Sequence, residues 1–274
     1  MADTVVAAPP AARTGPRTSN AGAIAAIAQR DITKFLSDKP RIVGSFVLPF
    51  LLVVILGNTF EPVGDALGYD FGRYVLTGVL AQTLFQSSAL GLVSLLEDRQ
   101  NDFSQELFIA PVSRYAIVLG KIVGEATVAL VQGLGILAFG FLIGVRLSVA
   151  ALPGLLLVSA VVCVFGGAFG LLMMSFARSK RFADQLFSFV FLPQLLLAGV
   201  FNPISQDGVI SVLSRLAPMR YAVDLTRWFG YVGNPERGRV VQDSLPVDVA
   251  VVSVLFVVFV AAGTALFVRH ESNR

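Results

Sequence analysis

The sequence is short of the residues from which most chemical sites are built. It holds one cysteine, Cys163, and one histidine, His270, too few for an intrachain disulfide framework or a His/Cys metal cage. Charged residues fill 14% of the 274 positions, against about 25% in ordinary soluble domains. With 55% hydrophobic residues, a soluble fold could not hide its apolar surface and still present a charged exterior. The scarcity of charge places the chain in a membrane. The net charge of +3 gives no reason to expect a nucleic-acid partner, because membrane topology explains the basic residues better.

Familiar catalytic motifs are missing too. The nearest approach to a phosphate loop is Gly120-Lys121, followed by Ile122 where Ser or Thr is required. No GxSxG occurs, and the lone histidine follows the last apolar run. The chain is therefore not expected to hydrolyse ATP or act as an intramembrane hydrolase. No catalytic, cofactor-binding or metal-binding residue is assigned.

What is present is apolar sequence in long pieces. Six runs lack Asp, Glu, Lys and Arg: 42–60, 74–96, 126–145, 147–177, 185–206 and 249–268. Each approaches or exceeds the roughly 20 residues a helix needs to cross about 30 Å of hydrocarbon. The third span extends back to Ala116 across Lys121 and Glu125, which form an i, i+4 pair near one membrane face. Pro153-Gly154 sets the start of the fourth helix near 154, and two shorter segments remain open there. The expected fold is all-α, with spans at about 42–60, 74–96, 116–145, 154–177, 185–203 and 247–268. Placing both termini in the cytoplasm puts fourteen basic residues inside, including all four lysines, and seven outside. The expected location is the inner or plasma membrane.

Residues 1–20, rich in Ala, Pro, Thr and Arg, read as a disordered cytoplasmic tail, leaving 21–274 as a single transmembrane domain. In 22–38, Ile24, Ala28, Ile32, Phe35 and Leu36 share a helical face with Arg30, Asp31, Lys34 and Asp38 off it, which predicts an interfacial helix. The loop 97–115 places Phe103, Leu107 and Phe108 at helical spacing, as a short amphipathic helix lying parallel to the membrane or facing a cytoplasmic partner would, although an ordinary loop with a helical turn reads the same way. The segment 202–246 is too apolar for a solvated loop and too charged to cross. It predicts a helix-break-helix in or dipping into the outer interface, with Tyr221 and Trp228 at headgroup level.

Intramembrane polar residues are the candidate substrate contacts. Gln82 and Gln86 lie one turn apart in the second span, and Gln132 lies in the third. In the fifth, Phe187 and Phe191 share a face near Gln194. Each glutamine reads equally as an interhelical hydrogen-bonding group. GxxxG spacings at Gly120/Gly124, Gly140/Gly144 and Gly166/Gly170 permit close helix approach.

Two stretches carry a family resemblance. Glu106-Leu107-Phe108-Ile109-Ala110-Pro111-Val112-Ser113-Arg114, followed by Leu119-Gly120-Lys121, resembles the loop and third-helix start of type-2 ABC exporter permeases of the daunorubicin-resistance type. Leu197-Ala198-Gly199-Val200-Phe201-Asn202-Pro203, with Leu216, Pro218, Tyr221, Asp224 and Arg227, is similar to that family's outer segment. The chain departs from the family pattern at Phe103-Ser104-Gln105, where a Gly-Thr is common.

The resemblance implies a permease dimer, homomeric or heteromeric, working with two copies of an ATP-binding subunit that holds ATP and Mg. Residues 98–110 would be the coupling helix, with Asp98, Arg99, Asp102, Phe103, Glu106, Leu107 and Arg114 as the coupling set. The outer segment would cap the substrate path. The cargo would be a hydrophobic or amphipathic drug, lipid or glycan moved outward by alternating access. A secondary transporter or channel is the competing class, but it would want paired intramembrane acids and the spans offer only Glu125. A membrane anchor or assembly factor is a third class, opposed by the polar faces of spans two and five.

Overall fold

The computed structural model describes residues 20–100, 114–177, 179–204 and 208–272. The expected tail, apart from Asn20, and most of the expected coupling helix lie outside these. Among the described residues all regular structure is helical. The chain runs through α1 (Asn20–Ser37), α2 (Lys39–Thr59), α3 (Glu61–Leu67), α4 (Phe71–Gln100) and α5 (Arg114–Leu142). A 3₁₀ turn, Val149–Ala151, leads into α6 (Leu152–Phe176) and α7 (Lys180–Leu197). Then come α8 (Val209–Arg215), α9 (Pro218–Gly230), α10 (Arg237–Val240) and α11 (Leu245–Ser272).

Local chemistry sets the boundaries. The Asp38 carboxylate accepts from the Arg41 amide at 3.1 Å, capping α2. Asp70 does the same for α4 through the Arg73 amide at 2.9 Å, and Ser179 caps α7 through the Phe182 amide at 3.3 Å. Pro153 and Pro218 sit in the first turns of α6 and α9, where a missing N–H costs nothing.

Among the described residues, five helices are long and apolar enough to cross a membrane: α2, α4 through Val93, α5 from Leu119, the stretch 149–176, and α11 through Leu266. The long fourth run forms one unbroken helix, α6, starting two residues before the expected position. The fifth run falls in α7, whose 18 residues begin with Lys180, Arg181 and Asp184 and stop short of 203. Its three charges keep α7 out of that set of five. Short α3, which no apolar run announced, follows α2.

The bundle has two ends. Tyr74 near the start of α4 meets Gly199 and Arg227, while Gly91 farther along α4 lies against Glu125 of α5, and Gly124 against α1. We call these the α9 end and the α1 end. α4 is the central helix, with Tyr74, Leu76, Leu80, Leu84 and Phe85 fully buried. α6 lies directly on it. A methyl group at Gly166 or Gly170 would collide with the carbonyl oxygens of Phe85 and Ala89, so this pair of small residues permits backbone contact. Phe85 packs on Phe165 and Phe169, and both of these pack on Phe259 of α11. α2 and α11 flank the bundle and leave Leu48, Leu51, Ile55, Val254 and Val257 exposed.

Two expectations change in detail. The buried face of α1 is Ala28, Asp31 and Phe35, while Leu36 stays 55% exposed. Asp31, which the periodicity put on the polar side, is only 4% exposed because Lys121 of α5 meets it there. The segment after α7 does form helix, break and helix. However, α9 is not a surface helix: every residue from Met219 to Arg227 is buried.

Candidate functional site

Three polar groupings interrupt this apolar bundle. The first joins α1 to α5. Gly120 and Gly124 let α1 approach until a methyl group on either would stand 3.2 or 3.1 Å from the Cα of Ile24 or Ala28. There the Lys121 ammonium bridges Asp31 Oδ2 at 3.1 Å and Glu125 Oε1 at 2.7 Å. Arg30 pairs with the other Asp31 oxygen at 3.1 Å, and Arg41 of α2 lies 4.0 Å from Glu125 Oε2. The Lys121–Glu125 pair read from the sequence is thus the middle of a larger network, and Asp31, Lys121 and Glu125 are each 3–4% exposed.

The second grouping is a cavity of about 320 Å³ between α2, α4 and α5. Gln82 and Gln86 line it, with Thr83, Gln132, Ser45 and, at the α1 end, Arg41. The Gln82 Oε1 atom is buried without a hydrogen-bond partner among the described residues. Phe187 and Phe191 do not line this cavity. Their rings stack at 5.3 Å inside the core, 3% and 7% exposed. Gln194 is engaged locally: its Oε1 accepts from the Met219 amide at 3.3 Å, tying α7 to the start of α9.

The third grouping holds α9 in place. Arg227, 1% exposed, donates to the carbonyl oxygens of Gly199 at 2.8 Å and Val200 at 3.3 Å, and lies 3.6 Å over the Tyr74 ring. Tyr74 donates to the same Gly199 carbonyl at 2.8 Å. Gly199, at φ +69°, turns the chain there. Asp224 accepts from the amides of Gln242 at 2.9 Å and Asp243 at 2.7 Å. Burial pushes the Asp224 carboxyl above its ordinary range, against those two amides and Arg227, which pull it down. Arg220 donates to Ser214 at 2.6 Å and Asp243 at 2.7 Å. Tyr221 donates to the Arg215 carbonyl at 2.9 Å, and burial raises its phenol. Pro218 opens α9, and Pro203 is exposed in the irregular stretch that follows α7. Tyr221 is buried rather than lying at a surface, and Trp228 is partly buried under the Arg237 guanidinium at 4.2 Å.

Of the coupling set, Asp98 and Arg99 fall in the last turn of α4 and Arg114 opens α5. Asp102, Phe103, Glu106 and Leu107 lie outside the described residues. Sequence reasoning missed Tyr74, Arg220, Asp243, Asp248 and the role of Asp31. A tyrosine at the head of a span and an acid one residue before a charge-free run are the only local signals these leave.

Comparison with known proteins fits this architecture. The family model described as ABC-2 type transporter matches residues 22–230, from α1 through α9. Over 131 residues the chain is 25% identical to the probable doxorubicin resistance ABC transporter permease protein DrrC of Mycobacterium tuberculosis, in two strains, covering 47% of this chain and 48% of that one. It is 26% identical over 194 residues to nodulation protein J of Sinorhizobium fredii, covering 63% of this chain and 72% of that one. The chain spans about half the length of the mycobacterial relatives it matches. A family match over three quarters of the sequence, running through the helices and both polar ends, settles the assignment: the chain belongs to the ABC-2 type transporter family.

Proposed function

We propose that this chain is the membrane-spanning permease subunit of an ATP-driven exporter. It would work as a dimer with two copies of an ATP-binding subunit, which carries the ATP and Mg. The observation that carries this reading is the family match over 22–230, together with relatives whose names describe a doxorubicin resistance permease and a nodulation protein.

In this reading α7 is the sixth crossing. It runs from Ser179, which follows α6 at the α1 end, to Gln194 at the α9 end, and its length of about 27 Å comes close to a hydrocarbon core. In this reading the α1 end and both termini face the cytoplasm, which the excess of basic residues on that side supports. Residues 98–110 couple to the ATP-binding subunit, and the α1–α5 junction passes its movement into the bundle. Exposed apolar faces on α2 and α11 meet lipid or the second permease subunit.

The cavity lined by Gln82, Gln86 and Gln132 is the first stretch of the path. Its apolar walls and few amide groups suit a hydrophobic or amphipathic drug, lipid or glycan conjugate, which needs area burial and sparse orienting contacts. Phe187, Phe191 and Gln194 would act on the path through packing and through the placement of α9.

The test is reconstitution of the purified chain with and without its ATP-binding subunit. The reading expects no ATPase activity from the chain alone and a stable complex whose hydrolysis doxorubicin or a short-chain fluorescent phospholipid stimulates. Contaminant-free hydrolysis by the isolated chain, or failure to form a complex, would count against it.

A further inference from the structure

The α9 end holds a carboxylate cluster that the transport reading does not use. Asp224 on α9, Asp243 in the link before α11 and Asp248 in the first turn of α11 each present an oxygen, all three within 4.8 Å of one another. Asp248 is fully buried, and neither of its carboxylate oxygens receives a hydrogen bond from an amide, guanidinium or hydroxyl donor among the described residues; the side chain it meets is the Asp224 carboxyl. A dehydrated carboxylate beside two others is unstable unless a proton or a cation neutralises part of the charge.

The charges in contact do not balance. Arg220 reaches Asp243 Oδ2 at 2.7 Å and supplies one positive charge. Arg227 turns a guanidinium nitrogen to the Gly199 and Val200 carbonyls instead. The amides of Gln242 and Asp243 hold Asp224 but carry no net charge. With all three carboxyls ionised, two negative charges have no cation in contact among the described residues. The start of α11 contributes only about half a positive charge through its aligned peptide dipoles.

The donor set defines the chemistry of what would fit. It consists of oxygens alone, from three separate segments, with no nitrogen or sulfur donor, which selects a hard cation. A divalent ion cancels the two charges. Irregular placement of the carboxylates suits the larger, adaptable shell of calcium better than the near-ideal octahedron magnesium demands. The Asp243 side chain is 27% exposed, so one edge of the cluster is open to water and to the remaining water ligands.

We propose that Asp224, Asp243 and Asp248 form a binding site for a divalent cation of the calcium class, which ties α9 and its following link to the head of α11. Protonation of the carboxyls, with a proton shared between Asp224 and Asp248, is the competing occupant.

The experiment uses the full chain purified in detergent, with its thermal unfolding followed in EDTA, in CaCl₂ and in MgCl₂ at matched ionic strength. Calcium should raise the unfolding midpoint saturably, with magnesium weaker. Asp248→Asn should weaken the calcium dependence at least tenfold. In EDTA that variant should unfold no earlier than the wild type, because it loses an unbalanced charge, and this shows that it folds. Asp243→Asn, at the open edge, should weaken the dependence as well. A midpoint that calcium does not move, or a calcium shift that survives both substitutions, would overturn the proposal. Calcium insensitivity combined with stabilisation at low pH would assign the cluster to a proton.

Discussion

Tyr74 and Arg227 share a single acceptor. Both donate at 2.8 Å to the Gly199 carbonyl, while the guanidinium lies 3.6 Å over the phenol ring. One backbone turn, at the end of α7, is thereby locked to the head of the central helix and to α9. The two donors differ in what their loss leaves behind. Tyr74→Phe removes one neutral hydrogen bond and should cost about 1 kcal/mol. Arg227→Ala removes the nitrogen that bonds both the Gly199 and Val200 carbonyls, and the cation over Tyr74, so about 3–5 kcal/mol is expected from breaking a buried polar network. Unfolding midpoints of the two variants in detergent should fall in that order. Equal effects would mean that Arg227 is not the anchor.

The α1–α5 junction makes a second prediction. Lys121→Met leaves Asp31 and Glu125 buried near each other, which should cost about 3–5 kcal/mol and lower the amount of folded protein in the membrane. Neutralising the carboxylates as well, in Asp31→Asn/Lys121→Met/Glu125→Gln, should restore most of the folded protein, because no buried charge of that triad remains unpaired. A triple variant as poor as the single one would show that α1 is held by packing alone.

Path residues and core residues should separate. Gln86→Ala changes a half-buried wall of the cavity and should alter the ranking of exported compounds more than protein abundance. Phe191→Ala empties a stacked core position and should cost about 3–5 kcal/mol, lowering abundance and all transport together. Export of several compounds, normalised to membrane protein, distinguishes the two patterns.

Asp224 should make stability depend on pH when divalent cations are removed. Its neighbours are the Gln242 and Asp243 amides, Arg227, Arg220 and the carboxylates of Asp243 and Asp248. Burial raises its folded pKa above the ordinary 3.8, so the folded chain keeps the proton to higher pH than the unfolded chain does. Stability from this group is therefore present at low pH and declines as pH rises through the folded value. Asp224→Asn should flatten that dependence in EDTA.

Five of the six expected crossings were legible because membrane insertion demands long charge-free runs, and those runs are visible one residue at a time. Pro153 marked a helix start for an equally local reason. Partners far along the chain were not visible. Nothing near Asp31 announces that a lysine ninety residues later will bury it, so periodicity alone assigned it to the polar side. The acceptors of Arg227 are backbone carbonyls, which no side-chain pattern encodes. Asp248 stands immediately before the charge-free run 249–268, and nothing in that position announces the carboxylate cluster into which the fold carries it. Gln82 and Gln86 did read correctly as one polar face, because residues four apart stack on a helix.

The most direct test of the central claim is uptake of doxorubicin into inside-out membrane vesicles containing this chain and its ATP-binding subunit. Three samples would be compared: the wild-type pair, the pair with the phosphate-loop lysine of the ATP-binding subunit replaced, and the pair carrying Glu106→Arg in this chain. The account predicts ATP-dependent uptake by the first, none by the second, and strongly reduced uptake by the third at unchanged membrane abundance. Uptake that persists without a functional ATP-binding subunit and follows an ion gradient would contradict it.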